Sequence, residues 1–134
     1  MVSSGVMWSQ ENKDGLLRHL PQVLLFDSFG SSEAVGLGSS VSAAGAAQET
    51  AKFTLGPSCA VFTDDGRRVE PGSGEQGVVA VGGFIPLGYY KDEVKSAATF
   101  RTFEGRRWSV PGDFAEVNAD GSLKLLGRGS VCIN

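Results

Sequence analysis

Asp27-Ser28-Phe29-Gly30-Ser31-Ser32-Glu33 gathers an aromatic ring, a glycine, hydroxyls and two carboxylates into seven residues. Such a set could grip a nucleoside triphosphate. The ring offers a stacking face for a purine, and glycine lets the backbone come close to a ligand. A hydroxyl donates to a phosphoryl oxygen, and a carboxylate can hold Mg²⁺. Taken alone, the segment also fits an ordinary polar loop. Pro111-Gly112-Asp113-Phe114 presents a second carboxylate, whose two oxygens match two vicinal sugar hydroxyls. Gly-Asp is equally a common turn dipeptide. Leu125-Leu126-Gly127-Arg128-Gly129-Ser130 presents a permanent cation suited to a phosphate or a ribose. No segment decides the matter singly. Their order and spacing carry the meaning, with Gly88-Tyr89-Tyr90-Lys91-Asp92 and Phe100-Arg101-Thr102-Phe103 lying between the first two.

The elements that would position these groups follow from the pattern of the chain. Ser9 to Leu20 reads as a short helix, capped by Ser9 and ended by Pro21. Leu16, Leu17 and Leu20 would line its apolar face. Gln22 to Phe26 is a continuous apolar run, which predicts a strand buried on both faces, as in a parallel sheet. Asp27 to Glu33 then reads as a loop beyond its carboxyl end, where ligands of such sheets sit. Residues 34–50 are rich in Ala, Gly and Ser. They read as a linker or as a small-residue lining that lets a substrate pass.

From Lys52 onward, short β-prone runs alternate with turns. Strands are predicted near 53–55, 60–63, 77–81, 107–110, 114–117 and 122–126. Asp64-Asp65-Gly66 and Asp120-Gly121 are hairpin signals between apolar runs. One helix interrupts the series. Asp92 would cap it, and Val94, Ala97, Ala98 and Arg101 recur at helical spacing. With so few apolar members, this helix should be half exposed.

Composition narrows the class. A length of 134 residues suits one domain, and 19 glycines favour turns over long helices. A net charge of −3 argues against a nucleic-acid partner. Cys59 and Cys132 form no CxxC pair, which argues against structural zinc. Each lies in an apolar run, so both should be buried reduced thiols, pointing to a reducing, cytoplasmic compartment. No apolar run is long enough to span a bilayer. The N-terminus lacks the basic flank and apolar stretch of a signal peptide.

Taken together, the three motifs resemble those of the AMP-forming acyl-CoA synthetases of the adenylate-forming superfamily. The resemblance runs from about Ser3 to Asn134 and is strongest from Gly88 to Ile133. The family's aromatic-Gly-x-Thr-Glu motif is matched by Phe29-Gly30-Ser31-Ser32-Glu33. This implies that Phe29 stacks on adenine and that Gly30 lets the backbone approach. It also implies that Ser32 contacts the α-phosphate or acyl-adenylate and that Glu33 binds Mg²⁺. Asp27 falls where the family places Asn or Asp near the adenine. Asp113 corresponds to the carboxylate on the ribose, and Arg128 to the hinge arginine on ribose or phosphate. The implied chemistry uses ATP, Mg²⁺ and CoA. A carboxylic acid, expected to be fatty, is activated as acyl-AMP and passed to the CoA thiol.

Departures from the family pattern are specific. Ser32 replaces Thr, Pro111 replaces a hydroxyl residue, and Ser130 and Val131 stand where the hinge carries charge. The chain contains no Ser-Gly-Thr-Thr-Gly-like phosphate loop. Nor does it contain the family's C-terminal domain, which brings a lysine to the reaction. The resemblance thus implies a piece of a larger enzyme, with Met1 a start inside a longer reading frame and the chain inactive by itself. Its expected fold class is α+β. Residues 1–50, with a short helix and a buried strand, would close the nucleotide-binding part. Residues 51–127 would form a distorted β-barrel-like part, and residues 128–134 would begin the hinge. The strand at Val23–Phe26 would then show an unpaired apolar edge and drive self-association. Two alternatives stay open: a stand-alone β-barrel binding module without catalysis, and an acyl-adenylate ligase with a different acceptor.

Overall fold

The computed structural model describes residues 1–46 and 52–129. The expectations for Ala47, Ser130, Val131 and Cys132 lie outside these residues. In chain order the elements are β1 (Val2–Ser4), α1 (Gln10–His19), β2 (Leu25–Ser31), β3 (Ala34–Ser42), β4 (Lys52–Leu55) and β5 (Cys59–Phe62). Then come β6 (Gln76–Val81), α2 (Glu93–Thr99), β7 (Phe100–Phe103), β8 (Arg106–Ser109), β9 (Asp113–Val117) and β10 (Leu123–Arg128). The class is α+β, as the sequence predicts. The strands form one mixed sheet in the order β1-β2-β3-β4-β10-β9-β6-β8-β7, with β5 added on β6. Among the described residues only β1 and β2 run parallel, and the other pairings are antiparallel.

Both helix starts follow the predicted caps. Ser9 Oγ accepts the Asn12 N–H at 3.2 Å, and Asp92 accepts that of Lys95 at 2.9 Å. The leucine face of α1 is covered only partly. Leu16 and Leu17 are half-buried, Leu20 is exposed, and the residue sealed beneath the helix is Lys13. The helix α2 buries no residue and stops at Thr99. Arg101, expected on its face, belongs to β7 and pairs with Trp108 of β8. Burial of the Trp108 indole rewards that ladder more than a further turn of an exposed helix would.

The N-terminal half differs most from expectation. Strand β2 begins at Leu25 and continues through Ser31, so Asp27–Ser31 is strand, and only Ser32 and Glu33 form the turn. Its burial is one-sided: Leu25 and Asp27 point inward, whereas Phe26 is exposed. Polar Asp27 tolerates the inner face because Lys13 meets it there. The segment from Ala34 to Ser42 is neither linker nor loop. It is β3, paired along β2 from Leu25↔Ser42 to Ser31↔Ala34. Small side chains permit this strand because β2 and β4 supply its backbone partners. Nor does β2 present a free edge. Val2–Ser4 pairs with Phe26–Ser28, and the Phe26 N–H donates to the Met1 carbonyl at 2.8 Å.

The core lies on both faces of the central sheet. Along β6, Val79 and Val81 join Leu37, Phe53, Val61, Ala115 and Leu123 on one side. Val78 and Ala80 join Phe62 and Trp108 on the other. This two-sided burial explains the unbroken apolar run Gly77–Val81.

Candidate functional site

The site starts with the Lys13–Asp27 pair. Lys13 Nζ lies 2.6 Å from Asp27 Oδ2, and both side chains are about 95% buried. The second oxygen, Oδ1, is buried without a hydrogen-bond partner. Two residues on, the Phe29 ring leans on Phe53, with centroids 5.7 Å apart and planes at 44°. Gly30 follows at a break in the β2–β3 register. A Cβ there would lie 3.2 Å from the Ala34 carbonyl oxygen and 3.4 Å from the Gly36 nitrogen. The hairpin therefore closes most comfortably on a residue without a side chain.

The opposite wall comes from β9 and β10. Asp113 and Arg128 face each other in the ladder, and Gly129 N–H donates to the Gly112 carbonyl at 3.0 Å just beyond them. A bulge between Leu125 and Gly127 brings Arg128 to the Asp113 side of the ladder. Strict alternation from Leu123 and Leu125 would have turned Gly127 there instead. Arg128 Nε lies 3.9 Å from Asp113 Oδ1, and its Nη2 donates to the Pro111 carbonyl at 3.3 Å. Asp113 is buried, and that burial raises its pKa above the ordinary aspartate value, with Arg128 pulling the other way. Arg128 itself is exposed.

These walls enclose a hollow of about 240 Å³. Asp27, Phe29, Gly30, Asp113 and Arg128 all line it, together with Phe53, Leu125 and the Gly5–Met7 turn. That is smaller than the roughly 300–1,000 Å³ of sites that enclose a whole drug-sized ligand. It suits one end of a ligand. Ser32 and Glu33 do not line it; both stand at the hairpin turn, Ser32 exposed. The Glu33 carboxylate accepts from the Tyr89 hydroxyl at 2.7 Å, and its carbonyl accepts from Ser109 Oγ. The Tyr89 hydrogen bond, with the Glu33 backbone and Arg128 adding to it, holds Glu33 below the usual glutamate range. The same bond pushes Tyr89 upward. Arg128 thus influences both the hollow and the turn.

Among the described residues, no group of three His, Cys, Asp or Glu side chains could hold a metal ion. Any divalent cation at Glu33 would rest on one ionised carboxylate plus oxygens from a ligand. Mg²⁺ accepts such an arrangement. Cys59 is a free thiol, but it is only half-buried rather than sealed, and burial raises its pKa.

Sequence reasoning missed Lys13, Tyr89, Phe53 and Ser109. Tyr89 had a signal, since Gly88-Tyr89-Tyr90 stands between the motifs. Lys13 had none, because a lysine on a short helix ordinarily faces solvent.

No family model matches the chain. Over its whole length it is 47% identical, across 135 residues, to a medium/long-chain-fatty-acid–CoA/3-oxocholest-4-en-26-oate–CoA ligase of Mycolicibacterium smegmatis, of which the match covers 24%. It is 49% identical, across 140 residues, to a 3-oxocholest-4-en-26-oate–CoA ligase of Rhodococcus rhodochrous, again covering 24% of that protein. The chain therefore spans about a quarter of the length of the curated relatives it matches. Among solved structures it is similar to IdnL1, with a TM-score of 0.81 and 23% identity over 95% of this chain and 28% of that one. It is also similar to the Vibrio cholerae adenylation domain AlmE in complex with glycyl-adenosine-5′-phosphate. There the TM-score is 0.77 at 18% identity, over 95% of this chain and 25% of that one. These two likenesses show a shared fold.

Proposed function

We propose that the chain belongs with the AMP-forming acyl-CoA synthetases, to whose ligases it is 47–49% identical over its whole length, and that it supplies the adenosine-gripping part of an ATP-dependent ligase that converts a carboxylic acid to its CoA thioester. The observation that carries this is the shared hollow of Phe29, Asp113 and Arg128, drawn from segments some 84 and 15 residues apart in the chain. The relatives' names support a fatty or sterol-derived acid as substrate.

On this reading each side chain has one task. Phe29, braced by Phe53, offers its free side to adenine. Gly30 keeps that wall free of a Cβ. Asp113 accepts from the ribose hydroxyls, and its burial strengthens each hydrogen bond formed. Arg128 pairs with ribose or phosphate. Ser32, exposed at the turn, donates to the α-phosphate or the acyl-adenylate. Glu33, held ionised and oriented by Tyr89, is the carboxylate that would hold Mg²⁺. Bound there, such an ion would neutralise charge on the ligand's phosphate oxygens. Residues 1–50, 51–127 and 128–134 then form the nucleotide-binding part, the barrel-like part and the hinge. The free thiol at Cys59 supports a cytoplasmic setting.

The chain holds no phosphate loop. By itself it should bind AMP weakly and catalyse no ATP–pyrophosphate exchange. Titrating AMP into the protein while following backbone amide resonances tests this. Shifts at Phe29, Gly30 and Asp113, lost in Asp113→Ala, are expected. Shifts confined to other faces would remove the proposal. Exchange well above that of a Glu33→Ala control would overturn the inactivity.

A further inference from the structure

A buried carboxylate with one oxygen unpaired is costly, and such an atom calls for an explanation. Asp27 is that case. Lys13, rising from α1 beneath the sheet, claims Oδ2 at 2.6 Å. Oδ1 is left buried and unpartnered on a residue that lines the hollow. Lysine has three donors and no acceptor. It therefore decides which atom of its partner it takes, and so which atom it leaves for a ligand.

We infer that Lys13 is a positioning residue that fixes the base preference of the hollow, by holding Asp27 so that a lone acceptor meets the exocyclic amine of adenine. The inference rests on the nucleotide reading above and extends it to a residue outside the hollow itself. A 6-amino purine brings a donor to Oδ1. A 6-oxo purine brings an acceptor, and two acceptors repel. The ion pair also supplies the charge balance that lets a carboxylate stay in so buried a place.

The test compares AMP with inosine monophosphate, titrated into the 134-residue protein and followed by amide resonances, with thermal unfolding as the check on folding. The protein as it stands should bind AMP about tenfold more tightly than inosine monophosphate, the effect of one buried hydrogen bond. In Asp27→Asn, Lys13 still demands an acceptor, so the introduced amide must turn its oxygen to Lys13 and its NH₂ to the hollow. Preference should then reverse toward inosine monophosphate. In Lys13→Met/Asp27→Asn the demand is gone, the amide can turn either way, and the ratio should fall to about one. Asp27→Asn that keeps the AMP preference, or a double variant that behaves like the single one, overturns the role of Lys13. Equal binding of both nucleotides by the unaltered protein does so as well, and leaves the nucleotide reading intact. Failure to bind either one overturns that reading too.

Discussion

Asp113 and Glu33 respond to the fold in opposite senses. Burial gives Asp113 a higher proton affinity in the folded chain than in the unfolded one. Folding then takes up a proton in the interval between the ordinary and raised values, and stability falls as pH rises through it. Asp113→Asn should therefore be more stable than the parent at pH 7. The difference should vanish once the pH drops below the ordinary aspartate range, and nucleotide binding should be lost throughout. Paired thermal melts at neutral and acid pH check this. A variant less stable at pH 7 would show that Arg128 outweighs burial. Glu33 works the other way: its stabilisation is present above the ordinary glutamate value and fades as pH falls through its lowered one. Tyr89→Phe removes the largest cause of that shift. Carboxyl resonances of Glu33 should then titrate at higher pH than in the parent.

Among the elements, β6 bears the greatest load. It pairs with β5, β8 and β9 and buries side chains on both faces. Its second residue, Gly77, has no room for a side chain, because a Cβ there would sit 2.5 Å from the Phe62 carbonyl oxygen, a backbone atom that cannot step aside. Gly77→Ala should cost about 3 kcal/mol or more. Phe62, fully buried, stacks on Phe103 at 4.6 Å and meets the Trp108 edge at 5.0 Å. Phe62→Ala should cost about 3–5 kcal/mol. Urea unfolding measures both, and a loss under 1 kcal/mol in either would refute the two-sided core. Elements like these were legible in the sequence, because Val-Val-Ala-Val runs and Asp-Gly turns state strand and hairpin locally. The caps of α1 and α2 were legible for the same reason. The strand β3 was not, since Ala-Val-Gly-Leu-Gly-Ser-Ser has no bulky alternation and owes its extended form to its neighbours. The strand β1 was hidden similarly, with one apolar residue and all its support from β2. In the site, the types at Phe29, Asp113 and Arg128 could be read. Their meeting depends on a bulge and a crossover that no local pattern encodes. Lys13 was invisible, because only the tertiary contact with Asp27 makes it inward.

On the scale of the whole molecule, one face of the sheet is left oily. Val2, Phe26 and Val41 stand in register across β1, β2 and β3, and all three are exposed. This row, rather than a free strand edge, should make the isolated chain associate at high concentration. Sedimentation is expected to show self-association that Phe26→Lys reduces, and a clean monomer at high concentration would contradict it. Among the described residues no helix is long and apolar enough to cross a membrane. The bulge in β10 has a last consequence, for chain length. The ladder is anchored independently on either side of Leu126, by Leu125↔Ala115 before it and Arg128↔Asp113 after it. Removing Leu126 would straighten the ribbon and leave both anchors matched. The gene can thus lose one codon here without displacing the cation that guards the cleft.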